Sequence, residues 1–395
     1  MKYLITLLLI VLLFRTEVQS CTIVMISDSN TAIAGSNEDS VFPLSTLMFI
    51  PASEGYYARA VFGYNMMRNS VQGGMNEKGL FVDGNSLGNT GWKYEKNKKP
   101  LMTSILDKLL ASCASVEEVK EFCMDYNVKE LRNARIPVMD KSGASMIIEW
   151  HDGQVVFLET DENYQVSTNF IGSEYIGKEK TCWRYNKAID VCKSNDKYSI
   201  ELVRDALDSS HLDNDLSKTI YSFICDLKKG DIYIYNYFDF SRSVKFNLFE
   251  EVKKGQQHFY IGSLFPERTA NYKEFLKQGP VLMIERGYRR NKMGALTFYN
   301  ILKNNYPKAF DIEINSDVLS EVGENLQAEG KLEDAIYFLE INAKDFPDDT
   351  RTHIELGDAY LKNNEIEKAK HEYDIVLQKD PGNKTALEAL NKLEN

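Results

Sequence analysis

Cys21 directly follows a segment with the features of an export signal, and this position gives the cysteine its chemical interest. A basic start is followed at residues 4–14 by an almost pure run of Leu, Ile and Val, and the small residue Ser20 comes just before Cys21. An apolar run of this length is too short to span a bilayer as a helix, and the whole segment is typical of a cleaved signal peptide. We therefore expect residues 1–20 to be removed, so that Cys21 becomes the first residue of a secreted or periplasmic protein.

A cysteine at the N-terminus carries a nucleophile and a base on one residue. Its α-amine has a pKa of about 8, well below the value of about 10.4 for lysine, so a useful fraction of the amine is neutral at pH 7. Thiol and amine then form the terminal-amine variant of a nucleophile–base pair. Such a site also needs a carboxylate for the protonated amine and hydrogen-bond donors for the oxyanion. The pattern predicts nucleophilic attack by Cys21 through a tetrahedral intermediate.

The same position also fits a second interpretation, in which Cys21 is the acylated residue of a lipoprotein. Residues 18–21 (Val-Gln-Ser-Cys) are a loose match to a lipoprotein signal, and Gln19 and Arg15 both weaken that match. Lipidation consumes the thiol and usually the amine, so the two interpretations exclude each other. In the second case the protein would be a lipid-anchored binding scaffold.

The carboxylate for the amine is expected from a hairpin that begins at Cys21. Residues 22–35 contain two apolar, β-branched runs on either side of a turn cluster at 28–30. If these three residues form the turn, Cys21 lies opposite Asn37, and Asp39 follows on the same face within diagonal reach. A one-residue slip of the register would present two other side chains instead, Ser36 and Glu38.

Several short segments carry a resemblance to a known family. In chain order they are 21–22 (Cys-Thr), 35–39 (Gly-Ser-Asn-Glu-Asp), 74–80 (Gly-Met-Asn-Glu-Lys-Gly-Leu), 83–85 (Asp-Gly-Asn), 166–169 (Val-Ser-Thr-Asn) and 183–185 (Trp-Arg-Tyr). Together they cover roughly residues 21–260. This region resembles the choloylglycine hydrolase and penicillin V acylase group, linear-amide C–N hydrolases of the N-terminal-nucleophile superfamily that are related to acid ceramidase and the isopenicillin acyltransferases. The resemblance implies an α/β fold, the four-layer αββα sandwich.

The resemblance also implies a role for each of five residues. Cys21 would be the nucleophile, its amine the base, and Asp39 would bind that amine. Asn85 and Asn169 would provide oxyanion donors or orient the amine. Arg184 would bias Cys21 toward the thiolate and hold the network of acids. The implied substrate is a small-molecule N-acyl amide.

The sequence departs from the family pattern in two places. Bile-salt and penicillin V enzymes carry an arginine after the glycine matched here by Gly35, whereas this chain has Ser36. This difference favours the acyltransferase-like branch, in which the position varies. In addition, Asn85 is one residue away from the spacing expected for the bile-salt enzymes, so Ser86 or Asp83 could share its place.

Strands interleaved with helices must position these residues, and they suggest layered sheets covered by helices. Besides the hairpin, the predicted strands are 47–50, 58–62, 79–82, 144–150, 154–158 and 231–237. The predicted helices are 102–112, 116–126, 183–192, 199–208 and 215–225.

The C-terminal part of the chain repeats with a period of 34 residues. The matched pairs include Gly323/Gly357, Ala335/Ala369 and Pro347/Pro381. This period is the signature of tetratricopeptide repeats, which here would be 316–349 and 350–383, followed by a closing helix. The segment 293–306 could supply an earlier half-unit, since two repeats alone are marginal. The predicted domains are a signal peptide at 1–20, a hydrolase domain at 21–275, a helical connector at 276–315 and the repeats at 316–395.

Composition excludes several partners and cofactors. The chain has 47 basic and 58 acidic residues, a net charge of −11, so it is a poor candidate for nucleic-acid binding. Its 5 histidines show no ligand spacing with Cys or acidic residues, and we predict neither a metal nor any other cofactor. No later stretch is apolar enough to cross a membrane. A protein partner is possible through the repeats.

Overall fold

The computed structural model of the protein describes residues 21–64, 70–195, 197–214 and 217–394. It divides into two compact units, and the division falls between Glu267 and Arg268. The signal peptide predicted for residues 1–20 lies outside the described residues. The range 276–315, predicted as a connector, is mostly helical and belongs to the second unit.

The first unit contains most of the sheet structure. Its strands, in chain order, are β1 (Thr22–Ser27), β2 (Ala32–Ser40), β3 (Ser45–Ile50), β4 (Arg59–Tyr64), β5 (Ser70–Asn76), β6 (Leu80–Asp83), β7 (Asn85–Ser86), β8 (Lys99–Pro100), β9 (Tyr126–Asn127), β10 (Ala134–Asp140), β11 (Ser145–His151), β12 (Gln154–Glu159), β13 (Tyr164–Ser167), β14 (Asp213–Asn214), β15 (Ser217–Asp226), β16 (Asp231–Asn236), β17 (Asp239–Asn247) and β18 (Gln257–Tyr260).

Helices cover the sheets of the first unit and build the second unit. In chain order they are α1 (Ile105–Ser112), α2 (Val116–Asp125), α3 (Trp183–Lys193), α4 (Ile200–Ser209), α5 (Leu248–Glu251), α6 (Ala270–Tyr288), α7 (Lys292–Phe310), α8 (Ser316–Ala328), α9 (Leu332–Asp345), α10 (Thr350–Lys362), α11 (Ile366–Lys379) and α12 (Lys384–Glu394).

Two antiparallel sheets face each other in the first unit. The first sheet has the order β13-β1-β2-β15-β16-β17, with β14 paired to β15. The second has the order β12-β11-β10-β6-β5-β4-β3-β18, with β7 paired to β10. Phe62 of the second sheet stacks on Phe223 of the first, with ring centroids 3.9 Å apart. Aromatic rings therefore fill the space between the sheets.

The outer faces of both sheets are covered by helices. Helices α3 and α4 pack on the first sheet around Val24, Ile26 and Val203, all buried. Helices α1 and α2 pack on the second sheet around Leu109 and Val138. The layers thus follow the order helix, sheet, sheet, helix, and the predicted αββα sandwich is confirmed.

Strand β2 is central to the first sheet and is buried along its whole length. Its first half is small and apolar, and Gly35 lets α4 approach so closely that a Cβ there would lie 2.7 Å from Val203. Its second half consists of consecutive buried polar residues, Ser36 to Ser40. Buried polar groups are tolerated where they are hydrogen-bonded, and such a run marks a functional site rather than ordinary core.

One predicted element is wrong. Residues 215–225 were expected to form a helix, but Ser217–Asp226 is strand β15, which pairs with both β2 and β16. Its middle, with Ile220 and Phe223 buried between neighbouring strands, is rich in β-branched and aromatic residues. Pairing on both edges and burial on both faces outweigh the helical pattern of this segment.

The second unit is helical throughout its described residues, and its helices follow the predicted repeats. α8 and α9 form the first repeat, α10 and α11 the second, and α12 is the closing helix. The repeated glycines lie where paired helices cross, because a Cβ at Gly323 would lie 2.8 Å from Leu339 and one at Gly357 would lie 2.8 Å from Tyr373. Helices α6 and α7 form a further pair before the first repeat, where the sequence predicted only a half-unit.

The backbone conformation and close packing of Gly74 in β5 provide a test of the structure of the second sheet. Its φ is +151°, a conformation that is almost restricted to glycine, and a Cβ there would overlap the carbonyl oxygen of Ala60. We expect Gly74→Ala to lower the free energy of unfolding of the first unit by about 3 kcal/mol, from backbone strain and overpacking together. Urea denaturation would measure this change. The control, Gly88→Ala, adds a Cβ in open space and is expected to change stability by less than about 0.5 kcal/mol.

Candidate active site

The hairpin that starts at Cys21 forms, but with a register one residue away from the predicted one. Thr22 pairs with Asn37, so Cys21 comes level with Glu38 rather than with Asn37. Ser27 faces Ala32, so the turn has one residue more than expected, and Asp28 closes it: its carboxylate accepts hydrogen bonds from the backbone N–H groups of Asn30 and Thr31. The predicted pairing of Cys21 with Asn37 is therefore wrong, and the one-residue slip is the arrangement found.

The thiol of Cys21 is buried, with 6% of the residue exposed, and lies against Glu38. Its Sγ donates to Oε2 of Glu38 at 3.7 Å. The hydroxyl of Ser36 donates to the other oxygen of Glu38 at 2.9 Å. Asn37, in contrast, points to the other side, where its amide donates to the Leu207 carbonyl and accepts from Ser222. The one-residue shift in register thus places Ser36 and Glu38 on the side of the thiol. Asn37 lies on the other side, where its hydrogen bonds give it a structural role.

Asn85 holds the backbone of Cys21. Its Nδ2 donates to the Cys21 carbonyl oxygen at 3.0 Å, and its Oδ1 accepts a hydrogen bond from the hydroxyl of Ser167. This places the predicted residue directly on Cys21, from strand β7 at the edge of β10. Ser86, weighed as a substitute, contributes its carbonyl oxygen, which accepts from Asn169 Nδ2 at 2.8 Å.

Arg184 connects the remaining predicted residues. It is 6% exposed at the start of α3. Its Nη1 donates to the Cys21 carbonyl at 3.3 Å and to Asp39 Oδ2 at 3.5 Å, and its Nη2 donates to Asn169 Oδ1 at 3.1 Å. All five residues implied by the family resemblance therefore lie in one hydrogen-bonded cluster, although they come from distant parts of the chain.

Asp39 is fully buried, and both of its oxygens are occupied. Oδ2 accepts from Arg184, and Oδ1 accepts from the hydroxyl of Thr219 at 2.5 Å. Burial raises the pKa of Asp39 to about 8, against the opposing effect of the Arg184 guanidinium. Burial also raises the pKa of the Cys21 thiol well above its usual range, and the charges of Glu38 and Asp39 add to this effect.

Two further acids complete the buried cluster, and the roles implied by the family did not include them. Asp83 lies at the end of β6 in the second sheet, where burial raises its pKa to about 8. Burial and the neighbouring charge of Asp83 raise the pKa of Glu38. From the sequence, Glu38 is expected beside Cys21 only if the hairpin register slips by one residue, and Asp83 is an alternative to Asn85. The signals in the sequence were an acid at the end of an apolar strand and a polar run in a central strand.

The raised pKa values predict that stability falls as the pH rises. Asp39 and Asp83 titrate at about 8 in the folded protein, far above their range in an unfolded chain. Between about pH 4 and pH 8 the folded state therefore holds protons that the unfolded state has released, and each linked proton costs at most about 1.4 kcal/mol per pH unit. Urea denaturation at pH 5 and pH 8 should show lower stability at pH 8. The Asp83→Asn variant should show a shallower decline, and an equally steep one would contradict the assignment.

The cluster can support acyl transfer chemistry. It offers a nucleophilic sulfur, a buried cation and amide donors around the first residues of the predicted mature chain, with acids close by. Within the described ranges, no group of three or more His, Cys, Asp or Glu side chains could hold a metal ion. All six cysteines, each within the described ranges, are free thiols. No helix in the described part of the chain is long and apolar enough to span a bilayer.

Two family models match the chain. The model of the acyl-coenzyme A:6-aminopenicillanic acid acyl-transferase family matches residues 26–237, just over half of the chain. That range begins five residues after Cys21 and contains the other four predicted site residues. A tetratricopeptide repeat model matches residues 326–393. The predicted family resemblance and the predicted repeats are confirmed. None of the curated proteins matches the chain.

Solved structures match each unit separately. A variant of the conjugated bile acid hydrolase from Clostridium perfringens has 18% identity and a TM-score of 0.49, covering 61% of this chain and 97% of the hydrolase. The penicillin V acylase from Agrobacterium tumefaciens has 16% identity and a TM-score of 0.45, covering 55% and 82%. The second tetratricopeptide domain of the human RPAP3 protein, solved with an HSP70 peptide, has 19% identity and a TM-score of 0.21, covering 29% and 96%.

Proposed function

The chain belongs to the acyl-coenzyme A:6-aminopenicillanic acid acyl-transferase family, and from this premise we propose that it is an exported cysteine amidohydrolase. It would cleave the linear, non-peptide C–N bond of an N-acyl amide through an acyl-Cys21 intermediate. The observation that carries the proposal is the cluster itself. Cys21 and four other residues chosen from separate sequence segments meet in one hydrogen-bonded network.

The reaction would proceed in two stages. First, the α-amine of Cys21 takes the proton from Sγ as the sulfur attacks the substrate carbonyl carbon and an S–C bond forms. The tetrahedral intermediate then collapses, the C–N bond breaks, and the ammonium returns its proton to the leaving amine. In the second stage water, deprotonated by the same amine, attacks the thioester and releases the acid together with the free thiol.

The surrounding residues would orient these groups and stabilise charge. Asp39 would bind the α-ammonium, and Arg184 would hold both Asp39 and Asn169 in place. Asn85, which holds the carbonyl of Cys21, would keep the nucleophile in position and with Asn169 supply or align the donors for the oxyanion. Each of these groups is already constrained by a hydrogen bond, so little reorganisation would accompany the reaction.

The N-terminus of the mature protein provides the decisive experiment. Intact-mass measurement of the exported protein should show a chain that begins with an unmodified Cys21. The same material, incubated with a panel of N-acyl amides, bile conjugates and penicillins, should release an acid and an amine from one class. A mature chain that begins at another residue, or a blocked amine, would remove the base that this mechanism requires.

A second candidate of the same fold is an acyltransferase, in which an amine replaces water in the second stage. The name of the matching family favours it. Product analysis with added amines separates the two, because a transferase would form new amides in proportion to the added amine whereas a hydrolase would continue to release free acid.

The third candidate is a lipid-anchored scaffold whose tetratricopeptide repeats bind a protein. The matching repeat model supports a protein partner for the second unit under any of the three proposals. A diacylglyceryl mass on Cys21 in the intact-mass measurement would support the scaffold and exclude both enzymatic proposals.

A further inference from the structure

Glu38, from the first sheet, contacts the thiol of Cys21, and Asp83 approaches Glu38 from the second sheet. Glu38 is 1% exposed and Asp83 is fully buried. Glu38 accepts the thiol hydrogen bond at 3.7 Å, and Asp83 Oδ1 accepts the backbone N–H of Gly84 at 2.6 Å. Gly73 leaves room for this arrangement, because a Cβ at that position would lie 2.6 Å from the Asp83 carboxyl carbon. Both carboxyl groups are therefore held in place inside the protein and do not lie on its solvated surface.

The second oxygen of Asp83 indicates a proton between the two acids. Within the described residues, Asp83 Oδ2 is buried and has no hydrogen-bond donor, which is costly for an ionised carboxylate. Asp83 lies close enough to Glu38 for its charge to raise the pKa of the Glu38 carboxyl. Two adjacent buried carboxyl groups cannot both ionise, so they share a proton, and that shared proton gives Asp83 Oδ2 its missing hydrogen-bond partner.

We propose that Glu38 and Asp83 form a proton-sharing pair that positions the Cys21 thiol and keeps it protonated until a substrate is attacked. The inference rests on the proposed function, in which Cys21 is the nucleophile. Above about pH 8, where Asp83 loses its proton, the pair carries one negative charge, and a thiolate would place a second one beside it in a site that excludes water. The Sγ proton would therefore leave only as the S–C bond forms, and it would pass to the α-amine. Glu38 and Asp83 act through Cys21 and are positioning residues.

The other ionisable groups around the thiol do not cancel the charge of the pair. From β2, Asp39 supplies no positive charge, and Arg184 from α3 is engaged with it at 3.5 Å. From β4 and β15, Tyr64 and Tyr221 face the same acids, and burial raises the pKa of both phenols, so they stay neutral. A protonated resting thiol also suits an exported enzyme, because the thiolate is the form that oxidants and alkylating agents attack.

The test is the pH dependence of alkylation of Cys21 in the mature protein without substrate. Iodoacetamide labelling followed by peptide mass spectrometry gives a rate for each cysteine separately. In Glu38→Gln the remaining charge moves to Asp83, away from Sγ, so the Cys21 profile should shift to lower pH by about 1 unit. In Asp83→Asn the new amide donates to Glu38 and holds the charge beside Sγ, so the profile should shift to higher pH. Cys182, which is half-buried, is the internal control and should not shift.

Opposite shifts in the two variants support the pair, because a merely structural role would move both profiles alike or not at all. A Glu38→Gln profile that superimposes on that of the unmodified protein overturns the inference, as do equal shifts in the same direction. Thermal unfolding shows whether each variant is folded. If Glu38→Gln does not fold, Asp83→Asn decides, since a shift to higher pH supports the pair and no shift overturns it. Turnover is measured separately, so hydrolysis that survives Cys21→Ala would end the proposed function without affecting the alkylation result.

Discussion

Cys21→Ala is expected to reduce amide hydrolysis by at least about 1,000-fold while the protein still folds. Removal of Sγ eliminates the only atom that can form the acyl intermediate in the proposed mechanism, and removal of a nucleophile typically costs several orders of magnitude. Alanine keeps the α-amine and the backbone carbonyl that Asn85 and Arg184 hold, so the cluster should remain assembled. Steady-state release of the acid product, compared at equal concentrations of folded protein, measures the loss.

The matched control is Cys123→Ala, which removes a buried thiol in the helical layer on the outer face of the second sheet and should leave turnover within about twofold. A second measurement follows the intermediate directly. Acid quench of the unmodified enzyme during turnover, followed by intact-mass analysis, should show the acyl group on the peptide that contains Cys21. Undiminished hydrolysis by Cys21→Ala would show that the chemistry lies elsewhere.

Which residues come together at Cys21 could be predicted from the sequence, because each of them lies in a recognisable motif. Asp39, Asn85, Asn169 and Arg184 were each chosen from a short segment, and the structure brings all four to Cys21. Motifs persist where backbone and side chain are both constrained, and such constraint is what a preorganised site requires. The roles of these residues remain predictions.

The exact geometry of the site could not be predicted, because it depends on a register. The pairing of β1 with β2 is set by a turn of four residues, Asp28–Thr31, that the side chain of Asp28 closes. A shift of one residue exchanges the two faces of a strand. The sequence supports either turn length, and only the packing of the completed sheet selects Glu38, rather than Asn37, as the neighbour of Cys21.

The contact between Glu38 and Asp83 was beyond prediction for a different reason. It joins two sheets whose relative placement depends on the whole sandwich, including the stacking of Phe62 on Phe223. Strand β15, which carries Phe223, was itself predicted as a helix. The periodicity of a segment does not show that it will pair with a neighbouring strand along each of its two edges, as β15 does. The repeats of the second unit were predictable because each helix packs mainly on its neighbours in sequence.

Arg184→Met is expected to lower both stability and turnover, because Arg184 and Asp39 form a buried ion pair. The two side chains are 7% and 0% exposed, so removal of the cation leaves Asp39 buried without a partner charge. Loss of one partner of a buried pair typically costs about 3–5 kcal/mol, whereas replacement of both by neutral groups costs much less. We expect Arg184→Met to lose about 3 kcal/mol and Asp39→Asn/Arg184→Met to regain most of that loss. Urea denaturation at pH 9, above the pKa of about 8 at which Asp39 loses its proton, measures both changes.

Turnover should separate the structural role of this pair from its proposed chemical one. The double variant restores charge balance, but it lacks both the carboxylate for the α-ammonium and the guanidinium that holds the Cys21 carbonyl and Asn169. We therefore expect its hydrolysis to stay at least about 100-fold below that of the unmodified enzyme although its stability recovers. The exposed pair Arg204–Asp205 is the matched control, and its double replacement by Met and Asn should change stability by less than about 1 kcal/mol. Recovery of both stability and turnover in Asp39→Asn/Arg184→Met would mean that the ion pair only supports the fold.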